Sequence, residues 1–409
     1  MMPPRPRIAL LHYSGPPVIG GVETVLQRHA ELLADHGYSV RVIAGRGEAW
    51  DPRIPLDLLP LLDSRHPEIL AAKRALDAGH LPEGFESLVG RIRSALAEPL
   101  RAIDLLVAHN VCSLHKNLAL TAALQDVSGE EGRPRLMLWH HDLAWTSSAY
   151  RDELHPGWPW DLLSTDWGAE HVVVSEHRCR ELIDLMGLDA AHVRVVPNGI
   201  DVVRQLNLSQ EARAIADRLN LLEADPILLT PVRITRRKNL ELALRACAAL
   251  QETYPRLMLL VTGPPGAHNP ANRTYLEELR NLRAELGLER RVHFLADGRA
   301  QPLSIEAVGG LFRLADALLL PSREEGFGLP MLEASLARLP IFCSDIPALR
   351  ALGAGGAEYF PPDASPRDVA QLISARLNAD RAHAMAVRVR QSYDWQRIFV
   401  EQIEPLVQR

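Results

Sequence analysis

No stretch of the 409-residue sequence is an uninterrupted apolar run of the roughly 20 residues that a membrane-crossing helix needs, so the chain reads as soluble. Near the N-terminus the apolar run behind the first basic residues stops after about five residues. A secretory leader needs roughly 7 to 15, so a cytoplasmic location is expected. There are only four cysteines, Cys112, Cys179, Cys247 and Cys343, and no C-x-x-C pair. Buried free thiols in apolar surroundings fit these positions better than disulfides or a zinc site. Excess positive charge is also missing. The net charge is -6, and arginines are interleaved with acids, so neither a nucleic-acid face nor a polybasic anchor for anionic membranes is indicated. Finally, G-x-G-x-x-G is absent, and with it the dinucleotide-binding fingerprint.

What is present is a repeated alternation of short Val/Ile/Leu-rich runs with helical patterns. This is the signature of parallel strands covered by helices on both faces. Strands are expected at Arg7 to His12, Ser39 to Ala44, Leu105 to Ala108, Leu136 to His140 and His171 to Ser175, then at Ile227 to Val232, Leu257 to Thr262, Val292 to Leu295, Ala317 to Pro321 and Ile341 to Ser344. Between the first two, Val22, Val25, Leu26, His29 and Leu33 share a helix face that ends at Gly37. The length suits two domains, and two doubly wound sheets imply a cleft at the carboxyl ends of their strands. The boundary is expected between the helix after Ser175 and the turn "VVPNGID", residues 195–201.

Three loops carry chemistry. "GPPVIGGVE", residues 15–23, follows the first strand and opens a helix whose unpaired N–H groups favour an anion; a plain tight turn reads equally well. "RITRRKN", residues 233–239, sets Arg233 and Lys238 beyond a strand, a planar fork and a mobile point charge that together suit a diphosphate; a solvated basic loop is the bland alternative. "EEGFGLPMLE", residues 324–333, carries Glu325 and Glu333 on either side of a glycine turn that starts a helix, with Pro330 in its first turn. Two acceptor-only carboxylates beside exposed amides suit a polyhydroxylated ligand. A glycosidase acid and base would stand about 5 to 9 Å apart, but the anion-friendly turn between them would then have no purpose.

Taken in order, "GGVE", "HHD", "VVPNGID", "RITRRKN", "EGFGLPMLE" and the terminal "SYDW" resemble the retaining, nucleotide-sugar-dependent glycosyltransferases of family 4, which have the GT-B fold of two Rossmann-like α/β domains. The resemblance spans nearly the whole chain. It implies an acceptor-side domain over 1–188, a nucleotide-sugar-binding domain over 189–388 and a C-terminal helix over 389–409 that crosses back to the first domain. It also implies that Glu333 holds the ribose hydroxyls and Glu325 the donor sugar, that amides around Phe327, Gly328 and Leu329 meet sugar and phosphate oxygens, and that Arg233 and Lys238 neutralise the departing diphosphate. Gly20 and Gly21 match a loop that closes over donor and acceptor. His141, in preference to His140, matches a histidine beside the reacting sugar. No cofactor is implied beyond the nucleotide-sugar cosubstrate. No metal is implied either, and no D-x-D motif occurs.

The donor is open between GDP-mannose and UDP-glucose. A soluble carbohydrate or small polar hydroxyl acceptor is preferred, because the helices expected over Arg65 to Arg101 lack a basic-aromatic face; a lipid or polyprenol acceptor comes second. An epimerase on the same fold is the competing enzyme class, and a two-lobed binding protein the competing non-enzyme. Trp145 to Trp167 holds four of the seven tryptophans, an acceptor wall or a packed loop.

Overall fold

The computed structural model describes residues 5–130, 132–266, 269–299 and 301–409. They form two compact units, one of residues up to Gly199 together with Trp395–Arg409, the other of Ile200–Asp394.

In the first unit, β1 (Arg7–His12), β2 (Ser39–Ala44), β3 (Leu56–Leu58), β4 (Leu105–His109), β5 (Arg135–His140), β6 (Glu170–Val173) and β7 (Val193–Val195) form one parallel sheet in the order β3-β2-β1-β4-β5-β6-β7. Period-two alternation divides its apolar residues between two cores. Ala9, Leu11, Leu106, Ala108 and Leu138 pack on one face with Leu88, Ile92 and Leu96 of the Phe85–Leu100 helix. Ile8, Leu10, Leu105, Val107, Met137 and Trp139 pack on the other with Leu26, Ala30 and Leu33 of the Gly21–Asp35 helix. Trp395, Ile398, Phe399, Ile403 and Leu406 complete that second core, each buried large side chain contributing about 1.5–3 kcal/mol. A Cβ on Gly199 would lie 2.6 Å from the Trp395 ring, so the glycine makes room for the tryptophan.

The second unit contains β8 (Ile227–Thr230), β9 (Met258–Val261), β10 (Val292–Phe294), β11 (Ala317–Leu320), β12 (Ile341–Ser344) and β13 (Glu358–Phe360), all parallel, in the order β10-β9-β8-β11-β12-β13. The strand order reverses between β8 and β11, as it does between β1 and β4 in the first sheet. Loops leaving such neighbours diverge to opposite faces and leave a crevice at the carboxyl ends. Across β8 and β11, Thr230 Oγ1 donates to the Leu319 carbonyl at 2.8 Å.

The last helix of this unit, Arg381–Ser392, is held by a buried ion pair. Arg390 donates two hydrogen bonds of 2.9 Å to Asp316, which also accepts the Ile227 amide at 2.7 Å. His383 lies 3.4 Å from Asp316 and 3.5 Å from Asp225. Burial pushes its imidazole down, but the two carboxylates outweigh that and raise it to about 9.

Three strands fall outside the sequence expectation. β3, β7 and β13 have three residues each and are only partly buried, so none contains an apolar run. β7 extends the first sheet beyond residue 188, because Val193–Val195 pairs with β6. The tryptophan-rich segment is packed: Trp160 is buried, Trp145 and Trp167 lie against the same core, and Trp145 Nε1 donates to the Trp160 carbonyl at 3.1 Å.

Candidate active site

Four loops at the carboxyl ends of β1, β4, β8 and β11 carry most of the groups of interest, and each unit holds its own set. In the second unit the β8 loop brings Lys238, and the β11 loop Glu325, into a short ion pair. Both side chains are more than nine-tenths buried. Glu325 also accepts the Ser322 hydroxyl at 2.8 Å, and the Arg237 guanidinium lies 3.8 Å from its other oxygen. Burial pulls the Lys238 ammonium below the usual lysine range, while the carboxylate opposes that shift. Two further links fix the loops: the Arg323 amide donates to the Arg237 carbonyl at 2.7 Å, and Arg237 to the Glu324 carbonyl at 3.2 Å.

The glycine turn follows directly. Gly328 has φ 105° and precedes the Leu329–Leu336 helix, with Pro330 in the first turn. A side chain there would be strained, and its Cβ would lie 2.7 Å from Leu349 Cδ2. Phe327 and Leu329 expose their side chains. Among the described residues the amides of Phe327, Gly328 and Leu329 have no protein acceptor, which leaves them open to an anionic or carbonyl-like oxygen. Glu333 is exposed one turn into the helix, and Arg233 is exposed before Lys238; neither side chain has a partner among the described residues. The β9 loop closes against the β8 loop, with Ile234 bridging Pro265. There a Cβ on Gly263 would stand 2.2 Å from the Val232 carbonyl.

The first unit gathers histidines. His12 at the end of β1 donates from Nδ1 to the His109 carbonyl at 2.7 Å, since a carbonyl can only accept. Its Nε2 stands 3.8 Å from Glu23. His109 Nδ1 faces His141 Nε2 at 3.5 Å. Burial is the first cause in each case, and it lowers His12 and His141 to about 4 and His109 further, so these rings are neutral near pH 7. His140 points to the opposite side of its strand, as period two requires. There it stacks on His171, with 3.0 Å between ring nitrogens, and is occupied in packing. The amides of His141 and Asp142 both donate to Asn110 Oδ1, at 2.9 and 3.0 Å. Gly20 precedes the Gly21–Asp35 helix with extended backbone, and a Cβ there would meet the Glu23 carboxylate, which folds back to accept the Ser14 hydroxyl at 2.7 Å. Gly21 has no neighbour within 4 Å of a Cβ.

The sequence model described as "Glycosyltransferase Family 4" matches residues 19–204, and that described as "Glycosyl transferases group 1" matches 212–389. Together they span β2 to β7 of the first sheet and the whole second sheet. The chain belongs to the family 4 glycosyltransferases. This glycosyltransferase is 27% identical over 386 residues to a D-inositol 3-phosphate glycosyltransferase of Nocardia farcinica, covering 90% of this chain and 80% of that protein. It is 25% identical over 371 residues to a mannosylglucosylglycerate synthase of Petrotoga mobilis, covering 84% and 83%. Among solved structures, a sucrose-phosphate synthase from Thermosynechococcus elongatus aligns over 98% of both chains with 20% identity and a TM-score of 0.40. The two family models and the two doubly wound parallel sheets make this glycosyltransferase a hexosyl-transferring enzyme of GT-B class. No helix among its described residues is long and apolar enough to cross a membrane.

Sequence reasoning did not single out Ser322, Arg237, His12, His109, Asn110 or Glu23. Arg237 lies inside a motif that was noticed. His109 and Asn110 carry a recognisable signal, polar residues directly after the apolar run "LLVA" of β4. Glu23 closes the quoted motif "GPPVIGGVE", and its role, like that of Ser322, follows from the partner the fold supplies.

Proposed function

We infer that this glycosyltransferase moves a hexosyl group from a nucleoside diphosphate sugar, GDP-mannose or UDP-glucose, to a hydroxyl of a small polar acceptor, with retention at the anomeric carbon. The observation that carries the reading is the Lys238–Glu325 pair at the β8/β11 switch point, next to the open amides of Phe327, Gly328 and Leu329. A cation beside a helix N-terminus suits a diphosphate, and a carboxylate held by Ser322 and Lys238 suits sugar hydroxyls.

In the reaction the bond from the anomeric carbon to the diphosphate oxygen breaks, and its electron pair goes to that oxygen. Lys238, Arg233 and the three amides stabilise the charge that develops there, the role a metal ion has in other transferases. The acceptor oxygen attacks from the face that the diphosphate leaves and passes its proton to the departing phosphate oxygen. No protein nucleophile is required. Glu333 holds the ribose hydroxyls. His141, neutral at pH 7, offers a hydrogen bond to the reacting sugar and not a charge. Gly21 gives the first helix an unobstructed backbone approach, while Gly20 leaves room for the Glu23 carboxylate.

One relative's name carries the small anionic polyol inositol 3-phosphate and another's the small anionic product mannosylglucosylglycerate, which favours a soluble polar acceptor. The test is nucleotide release from UDP-glucose and GDP-mannose in chelator-treated buffer, with and without inositol phosphate or glucosylglycerate. Acceptor-dependent release of one nucleotide, with an axial-to-axial product by NMR, is expected. Sugar alteration without any acceptor requirement would point to the epimerase instead.

A further inference from the structure

We propose that Asn110 is the positioning residue of this transferase, holding the β5 loop so that the His141 ring faces the reacting sugar. The proposal rests on the reading of His141 given above and deepens it. Asn110 directly follows β4 and is 2% exposed. Its own amide donates to the Trp139 carbonyl at 2.8 Å, continuing the ladder to β5 by one bond. Its side-chain oxygen then takes the His141 amide at 2.9 Å, the Asp142 amide at 3.0 Å and the Ser113 hydroxyl at 3.1 Å. The atom that faces two backbone N–H groups must be the oxygen, which fixes the amide orientation and leaves Nδ2 to donate to Asp142 at 3.3 Å. A second tie, from the Ala144 amide to the Ser113 carbonyl at 2.8 Å, closes the loop on its far side. The backbone of His141 is therefore fixed at the point where the strand ends, and its ring is carried to within 3.5 Å of His109.

Three demands meet at this position, and few side chains satisfy them together. The backbone has φ 58°, a left-handed conformation that Asn, Asp and Gly adopt most readily. Gly cannot accept the two amides. Asp can accept them, but it would set a second carboxylate against Asp142 in place of the Nδ2 donor. Asn alone of the three takes the conformation, accepts both amides and donates to Asp142. The two amides it holds belong to the residue assigned to the sugar and to the residue after it, so a loss here displaces His141 before it exposes any core.

The test compares Asn110→Gly, Asn110→Asp, His141→Gln and the double variant, with UDP-glucose and GDP-mannose as donor probes. Asn110→Gly keeps the left-handed backbone and removes the side-chain acceptor together with the Nδ2 donor to Asp142. It is expected to lower kcat on the order of 10- to 100-fold, the effect of about an ångström of misplacement, with the donor KM within twofold. Amide hydrogen exchange at His141 and Asp142 should rise in Asn110→Gly and stay near wild type in Asn110→Asp, whose kcat should recover to within several-fold. The double variant should be no slower than His141→Gln, because both changes remove one contribution. Wild-type kcat in Asn110→Gly beside an impaired His141→Gln would overturn this proposal alone. Wild-type kcat in His141→Gln would overturn the reading of the histidine and this proposal with it.

Discussion

The Lys238–Glu325 pair makes a prediction whose size follows from its burial. Glu325→Gln preserves shape and an acceptor for Ser322 but removes the carboxylate that, among the described residues, pairs with a lysine more than nine-tenths buried. Breaking one side of a buried pair costs about 3–5 kcal/mol. The lysine sets its own ceiling: releasing its proton at pH 7 from an ordinary value near 10.4 costs about 4.6 kcal/mol, at about 1.36 kcal/mol per unit. The sign follows from linkage. With its partner gone, the folded-state lysine is depressed further below its unfolded value. The penalty is then fully present at low pH and shrinks as pH rises toward 10.4, by at most about 1.4 kcal/mol per unit. Urea denaturation of the second unit's transition, read as the difference from wild type at pH 7, 8 and 9, measures it. Lys238→Met combined with Glu325→Gln should recover most of the stability, since no unpaired charge is then left buried, yet turnover should stay low because the leaving diphosphate has lost its cation. A Glu325→Gln chain within about 0.5 kcal/mol of wild type at pH 7, or a double variant as unstable as the single, would refute the reasoning.

The His383 site gives a pH prediction of opposite sense. Its imidazole is raised to about 9, so the stability it lends is complete below about 6.5, the unfolded value, and is lost as pH rises through 9. His383→Gln should flatten that alkaline loss in a thermal melt, and an unchanged slope would remove His383 from the account. Gly328→Ala should lower the melting temperature of the second unit by the equivalent of about 1–3 kcal/mol, because φ 105° is strained for alanine and Leu349 must give way. Differential scanning calorimetry reads this directly, and an unchanged melt would mean that the turn relaxes freely.

Much of the fold was legible because its strands announce themselves. The fully buried strands Ile227–Thr230, Ala317–Leu320 and Ile341–Ser344 are bare apolar runs, and a strand buried on both faces can hardly be anything else. β3, β7 and β13 were not legible: "LDL", "VRV" and "EYF" are three-residue, partly exposed strands whose identity comes from the neighbour they pair with. The same division runs through the site. Lys238 and Glu325 stand out because charge next to glycine after an apolar run is locally unusual. That they pair with each other, 87 positions apart, depends on β8 and β11 being neighbours in the sheet. Asn110 is marked in the sequence only as a polar residue after the apolar run of β4. Its sequence context is an ordinary strand end, and its importance lies in two amides 31 and 32 residues away.

We propose that the second unit binds the nucleoside diphosphate of a sugar donor through Glu333, Lys238 and the glycine-turn amides. Calorimetric titration of UDP and of GDP, in chelator-treated buffer, into the wild-type chain and Glu333→Ala tests it most directly. The account predicts saturable binding of one of the two nucleotides to the wild type, weakened by about 1–3 kcal/mol in Glu333→Ala through lost ribose hydrogen bonds. Absence of saturable binding of either nucleotide to the wild type, or equal affinity in Glu333→Ala, would contradict it.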